Sequence, residues 1–294
     1  MPHSLLARLG LPRGTRAAIV HADDIGMCHA ANVAFWEDQA FGIVTSGSVM
    51  MPCPWVPEMA AWCRDHPEAD VGVHLTLTSE WDGYRWRPIS TCDPASGLID
   101  EQGYMWRSVE ALQRHMDPDA AAAELRAQVA LALELGIDVT HIDTHMGAIV
   151  HPQLVPAYVA LMREYRIPAM MPRLSVNDLE AQRIDERTGQ LWAHVWEELA
   201  ASGTPVLDRV VTTLAKGHEL EVYQQGFDRL PAGLAHVIVH PAAPGYEVEV
   251  ITDSAPQRMA DYRTMLNPRL RAYLAEQGIR LIGYRQLRDL MRSS

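Results

Sequence analysis

The chain has 294 residues, 48% of them apolar, and a formal charge of −12. That is enough for a large buried core, as one big α/β domain or two small ones, since single α/β barrels commonly run to about 250 residues. An acidic surface repels phosphate backbones, so nucleic acid is not an expected partner.

Short β-rich runs alternate with longer helical patterns. The first strand is expected at 17–21, an apolar run that delivers His21-Ala22-Asp23-Asp24-Ile25-Gly26. Adjacent carboxylates straight after such a strand repel one another unless something offsets the charge. A metal does that: one Asp ligates while the other stays free as a base. The competing reading is an Asp pair capping the helix expected at 29–40. A second strand is expected at 43–50, a helix at 54–64 and a third strand at 70–77. The third carries Val73-His74-Leu75, and a lone His in an apolar strand is more often a hydrogen-bonded core residue than a ligand.

Residues 81–116, rich in Gly, Pro, Trp and Tyr and without a clear period, read as a long excursion of the kind that forms lids or binding loops. Its aromatics Trp81, Tyr84, Trp86, Tyr104 and Trp106 suit stacking on sugar rings, and equally suit ordinary loop packing. Asp117-Pro118 marks an N-cap with proline in the first turn, opening a helix at 119–136 that Gly136 closes.

The strand expected at 138–143 runs into Thr140-His141-Ile142-Asp143-Thr144-His145. Strand periodicity puts His141, Asp143 and His145 on one side, and imidazole with carboxylate is the common kit for a catalytic divalent metal. Some of the three can serve by orienting ligands rather than by binding the ion. A helix at 153–165, a strand at 169–174 and a helix at 191–201 follow. The strand at 236–240 ends in His240-Pro241; the His suits a general acid, and a strand-closing His-Pro turn is the plainer reading. A long helix at 255–278, with Gly278 as its stop, and a strand at 280–282 end the series.

Strand–helix alternation with apolar strands predicts an α/β fold with a parallel sheet under helices, and about seven β/α units predict a distorted (β/α) barrel rather than an open sheet. Catalytic residues then sit at the C-terminal strand ends. We expect one domain over 1–294 carrying the excursion at 81–116.

Cys28, Cys53, Cys63 and Cys92 form no C-x-x-C pair, which argues for free thiols and against a zinc knuckle or redox motif. The run from Met1 to Arg8 lacks the apolar core of a signal peptide, and no run approaches the roughly 18 apolar residues of a membrane span. The expectation is a cytoplasmic protein with no membrane partner; a homo-oligomer is open. There is no G-x-S-x-G elbow, H-E-x-x-H helix, P-loop or G-x-G-x-x-G after the first strand, which speaks against several other enzyme classes.

His21-Ala22-Asp23-Asp24-Ile25-Gly26, Gly72-Val73-His74-Leu75-Thr76 and Thr140-His141-Ile142-Asp143-Thr144-His145, in that order, resemble the YdjC-like (ChbG/HpnK) carbohydrate deacetylases. Ile43-Val44-Thr45-Ser46 is similar to that family's second strand. The likeness runs from about Ala17 to Leu290. It implies a seven-stranded distorted barrel and hydrolysis of an acetyl group from an N-acetylated sugar. It implies a divalent metal held by Asp24, His74 and His145, with Asp23 as base and His240 as the acid that protonates the leaving amine. Arg173 resembles the arginine that holds the base. Zinc suits two His and a carboxylate best; magnesium, nickel, cobalt and iron are the alternatives. The other readings kept open are a metal-dependent hydrolase of another small amide or ester, and a non-catalytic sugar- or metal-binding barrel. His21 stands where the family usually has Asn, and Ile25 where it has Phe. Met146-Gly147-Ala148 and Pro241-Ala242-Ala243-Pro244-Gly245 also depart from the pattern, which bears on the sugar rather than on the reaction.

Overall fold

Among the described residues seven strands form one parallel sheet: β1 Arg16–Ile25, β2 Ser46–Val49, β3 Val71–Leu75, β4 Ile142–Thr144, β5 Arg209–Val211, β6 Gly233–Val239 and β7 Arg280–Leu281. The order is β4-β3-β2-β1-β6-β5, and β7 pairs the first residues of β1, ahead of the segment that pairs β2. The computed structural model describes residues 5–181, 184–212, 214–215 and 217–293. Met1-Pro2-His3-Ser4, part of the N-terminal run read above, lies outside the described residues. Among the described residues no helix is long and apolar enough to cross a membrane.

β1 is the centre of the sheet because its side chains suit burial on both faces. Every residue from Ala17 to Ile25 is buried. Strands covered on both sides read as continuous apolar runs. Helices His29–Phe41, Val56–Asp65, Pro118–Glu134, Val155–Tyr165 and Glu186–Ala201 pack around them, at or near the expected positions. The cap at Asp117 forms as expected: its carboxylate accepts from the Ala120 N–H at 2.8 Å. Gly136 takes φ 85°, the left-handed conformation that ends this helix without a Cβ clash.

Three expectations need correction. The strand at 138–143 begins only at Ile142, because the preceding residues hydrogen-bond to β3 irregularly. The segment 169–174 lies between β4 and the residues before β5, but touches them only through isolated bridges at Ala169 and Pro172. Pro168 and Pro172 lack the N–H that a regular ladder needs. The seventh strand is instead Arg209–Val211, too short to stand out by alternation. The helix at 255–278 breaks into Ala255–Met265 and Pro268–Glu276, since Asn267-Pro268 stops one helix and caps the next.

The excursion is tied down rather than loose. Glu124, fully buried on Pro118–Glu134, accepts from the N–H groups of Ile89 and Ser90 at 3.1 and 2.8 Å. Its neighbour Gln128 brackets Thr76, accepting from its N–H and donating to its carbonyl. The loop is thereby registered to the exit of β3, where His74 sits.

Asp38, on the helix behind β1, gives a first prediction. Both its carboxylate oxygens are buried without a partner among the described residues. Burial, reinforced by the charges of Asp261 and Glu37, pushes it from 3.8 up to about 9. An acid raised in the folded state stabilises fully only below its unfolded value, so that contribution is lost as pH rises from about 4 towards 9. Asp38→Asn is expected to flatten this decline, adding about 1–3 kcal/mol at pH 8 and much less at pH 5. Chemical denaturation at the two pH values checks it; equal shifts at both would contradict the assignment.

Candidate metal centre and active site

Simple alternation would send Asp23 and Asp24 to opposite faces of β1. The pairing with β2 is irregular between Ala22 and Ile25, and Asp24 adopts φ 63°. A bulge of this kind re-aims side chains. The left-handed conformation at a non-glycine residue costs about 1–2 kcal/mol and gathers at functional sites. Both carboxylates therefore face one cleft. They do not cap the following helix, whose N-cap is Cys28, without a side-chain cap.

Asp24, His74 and His145 come together as the resemblance implies. Asp24 Oδ1 lies 3.4 Å from His74 Nε2 and 3.2 Å from His145 Nδ1, and all three residues are buried. Asp24 Oδ1 has no hydrogen-bond partner among the described residues. Donors bonded to one ion at about 2.1 Å are about 3.0–3.4 Å apart for bond angles of 90–109°. Both separations from Asp24 Oδ1 thus fit a single divalent cation, and the three donor atoms lie within 4.8 Å of one another.

Each ligand is held from behind. His74 Nδ1 lies 2.9 Å from Asp143 Oδ2 and 3.1 Å from Ser48 Oγ. His145 Nε2 lies 2.9 Å from Glu80 Oε1. Carboxylates on the far nitrogen fix the tautomer that points a lone pair at an ion. Arg258 donates to Asp24 Oδ2 at 2.6 Å, leaving Oδ1 for the cleft. The electrostatics match. Burial alone would raise Asp24, but the Arg258 charge and the two histidines hold it well below the carboxylate range. Burial alone would lower the histidines; Asp143, with Asp23, raises His74, and Glu80, with Asp24, raises His145 to about 9. The pocket is built for positive charge.

Asp23 sits beside this cradle. Its Oδ1 accepts from His21 Nδ1 at 2.7 Å, and its Oδ2 points to His74 Nε2 at 3.8 Å and His240 Nε2 at 3.9 Å. His240 is the more open of the pair, with 39% of its side chain exposed. Its backbone N–H donates to Asp261 Oδ2 at 2.9 Å, so helix Ala255–Met265 positions both Arg258 and, through Asp261, the His240 turn. Burial lowers the His240 pKa, partly offset by Asp24.

His141 and Asp143 also point inward, as periodicity predicts, but away from the three donor atoms. Arg173 does not join the site. Its N–H donates to the Leu207 carbonyl, and its exposed guanidinium lies 5.4 Å over Trp196. Among the described residues no hydrogen bond or ion pair links it to Asp23. The arginine that reaches an aspartate here is Arg258. Of the aromatics, Trp86 packs 6.3 Å from His145 and Trp81 lies 5.9 Å from the Arg258 guanidinium. Tyr84 donates to the Met27 carbonyl. Tyr104 is covered by Arg85 and Arg87, and Trp106 stacks on His115, so both serve the loop itself.

Comparison with known proteins decides the lineage. The family model for YdjC-like protein matches residues 17–276. The chain belongs to the YdjC-like protein family. A YdjC-like relative from Thermus thermophilus, named carbohydrate deacetylase, is 36% identical over 92% of this chain and 94% of its own. One from Geobacillus stearothermophilus bears the same name and is 28% identical over 94% of this chain and 99% of its own. A crystal structure from Enterococcus faecalis, named provisionally for cellobiose-phosphate cleavage, superposes with a TM-score of 0.78 at 22% identity. It covers 93% of this chain and 99% of its own, and supports the YdjC-like fold.

Proposed function

We propose that this chain is a metal-dependent hydrolase that removes the acetyl group from an N-acetylated sugar. The observation that carries the reading is the unpartnered Asp24 Oδ1 facing two histidine nitrogens, with a second carboxylate, Asp23, beside it. A site that only bound metal would have no use for that second carboxylate. The names of the relatives supply the acetylated sugar. Asp24, His74 and His145 would hold the ion, zinc by its preference for this donor set. A bound divalent cation supplies a water made acidic near neutral pH and a positive charge for the developing oxyanion.

The chain's own residues do the rest. Asp23 Oδ2, without a hydrogen bond among the described residues, takes the proton from the attacking water. His21, donating to Asp23 Oδ1, keeps Oδ2 turned to the cleft. His240 Nε2 hands a proton to the departing nitrogen, because an amine anion is too basic to leave unaided. Trp81, only partly buried beside Arg258, offers an apolar face for a sugar ring, while Trp86 is buried behind it.

Incubating the purified protein with a panel of N-acetylated mono- and disaccharides, each with zinc, nickel, cobalt, iron or magnesium, and measuring free acetate tests the proposal. Metal-dependent release from at least one sugar is expected, and lost after chelation. No acetate from any sugar, with turnover of a different amide or ester, would favour the broader hydrolase reading.

A further inference from the structure

Behind Asp23 lies a chain of buried polar groups of which the reaction above uses only His21. His21 Nε2 is 2.7 Å from His141 Nε2; His141 Nδ1 is 3.0 Å from Thr140 Oγ1; Thr140 Oγ1 is 2.6 Å from Asp70 Oδ1. With the 2.7 Å contact from Asp23 to His21, four successive hydrogen bonds run the length of the sheet interior. Asp23 stands at the C-terminal end of β1, and Asp70 precedes the first residue of β3. At that opposite end Asp70 borders a cleft of about 630 Å³, lined also by Trp36, Trp62, His66 and Arg285. The path is built in. Tyr284 stacks on the His141 ring at 3.9 Å, and Gly72 leaves the room: a Cβ there would come within 2.4 Å of His141 Cε1.

Counting protons shows what the chain can do. Thr140 has one hydroxyl proton, so every bond must point the same way. In one arrangement Asp70 is the acid: it donates to Thr140, Thr140 to His141 Nδ1, His141 Nε2–H to a neutral His21. In the other Asp70 is a carboxylate and His21 an imidazolium, and those three bonds are reversed. His21 Nδ1–H donates to Asp23 in both. Three hops interconvert them: Asp70 to Thr140 Oγ1, Thr140 to His141 Nδ1, His141 Nε2–H to His21 Nε2. The net result is one proton moved from Asp70 to His21, and no heavy atom need move.

We infer that His21, His141, Thr140 and Asp70 form a proton relay joining the partner of the base to the cleft at the far end of the sheet. The role rests on the reading of Asp23 as base. It gives the site a proton route that a sugar over the metal side would not cover. Burial pushes Asp70 up, against the hydrogen bonds and charge around it, which favours the acid form it starts from. Burial, and then the charge of His21, push His141 well down, and both arrangements require a neutral His141.

The test uses the metal-loaded protein with ¹⁵N-labelled histidine. Thr140→Val should fold, keep its metal and leave KM unchanged while kcat falls about tenfold, less than the roughly 10²–10⁴ of a group that transfers directly. Thr140→Ser should restore it. Asp70→Asn keeps an N–H toward Thr140 but has no proton to pass, so it should lose kcat like Thr140→Val; full activity would reduce the chain to mere positioning and overturn the relay. The His21 ring nitrogens should shift in the NMR spectrum of Thr140→Val, two links away. Unmoved His21 signals overturn the proposal. So does a second metal per chain that is lost in His236→Ala, because His21, Asp23, Asp143 and His236 also cluster closely enough to hold an ion. Full activity in Asp23→Asn would instead sink the base assignment, leaving the NMR coupling to stand or fall by itself.

Discussion

Asp24→Asn is expected to lose its metal, and Asp23→Asn to keep its metal and lose about 10²–10⁴ in rate. The two residues are adjacent and chemically identical, so the contrast must come from their surroundings. Asp24 Oδ2 accepts from Arg258 at 2.6 Å. An Asn there must turn its carbonyl oxygen to Arg258, because its NH₂ would meet the guanidinium's own N–H groups. That orientation aims the NH₂ at His74 Nε2 and His145 Nδ1, where a donor atom is needed. The variant cannot satisfy the arginine and the ion together. Asp23 has no such conflict. Its Oδ1 accepts from His21, which an Asn oxygen can still do, and its outward atom becomes an NH₂ with no lone pair for a proton. Metal analysis by mass spectrometry and acetate release separate the two outcomes. Equal metal loss in both variants would mean that Asp23 is a ligand and that the division of labour is wrong.

The pattern marked polar residues at strand ends as out of place among apolar neighbours, but the choice of Asp24, His74 and His145 as the ligand set came from the family resemblance. His141, Asp143 and His145 stood out by their period of two, whereas His74 alone read more readily as a core histidine. What supports them was not legible. Arg258 lies 234 positions from Asp24, on a helix where an arginine reads as a solvated face. Only the tertiary fold brings it in. Glu80 follows an apolar and hydroxyl-rich run after His74, a signal as good as that of Asp23, but it fell at the edge of a loop read for its aromatics. Arg173 was placed by likeness alone, and the irregular backbone between Pro168 and Pro172 turns it outward. The parallel sheet followed from alternating elements, since apolar strands in such a series must be covered on both faces. The short β5 and the split helix depended on tertiary pairing and one proline. His21 looked like a departure in a loop-facing position; its hydrogen bond to His141, 120 residues away, is what gives it meaning.

His240→Ala is expected to abolish most amide hydrolysis while sparing an activated ester. As a structural residue, His240 closes β6, and its backbone is already held by Asp261. Truncating the side chain leaves that bond in place, so stability should change little. Metal content should also hold, because His240 Nε2 faces Asp23 at 3.9 Å and is not among the three clustered donors. The loss then falls on the chemical step. An N-acetyl amide leaves as a strongly basic amine and needs a proton as the bond breaks. An aryl acetate leaves as a weakly basic phenolate and hardly needs one. Without the imidazole, amide turnover should drop by about 10²–10⁴, the usual worth of general acid help, and aryl acetate turnover by less than about tenfold. The ratio of the two losses is the measurement, because damage to the metal site or to Asp23 would lower both in proportion. Proportional losses would return His240 to the end of its strand and leave the proton for the leaving nitrogen to come from Asp23, the one other group in the cleft that has just acquired one.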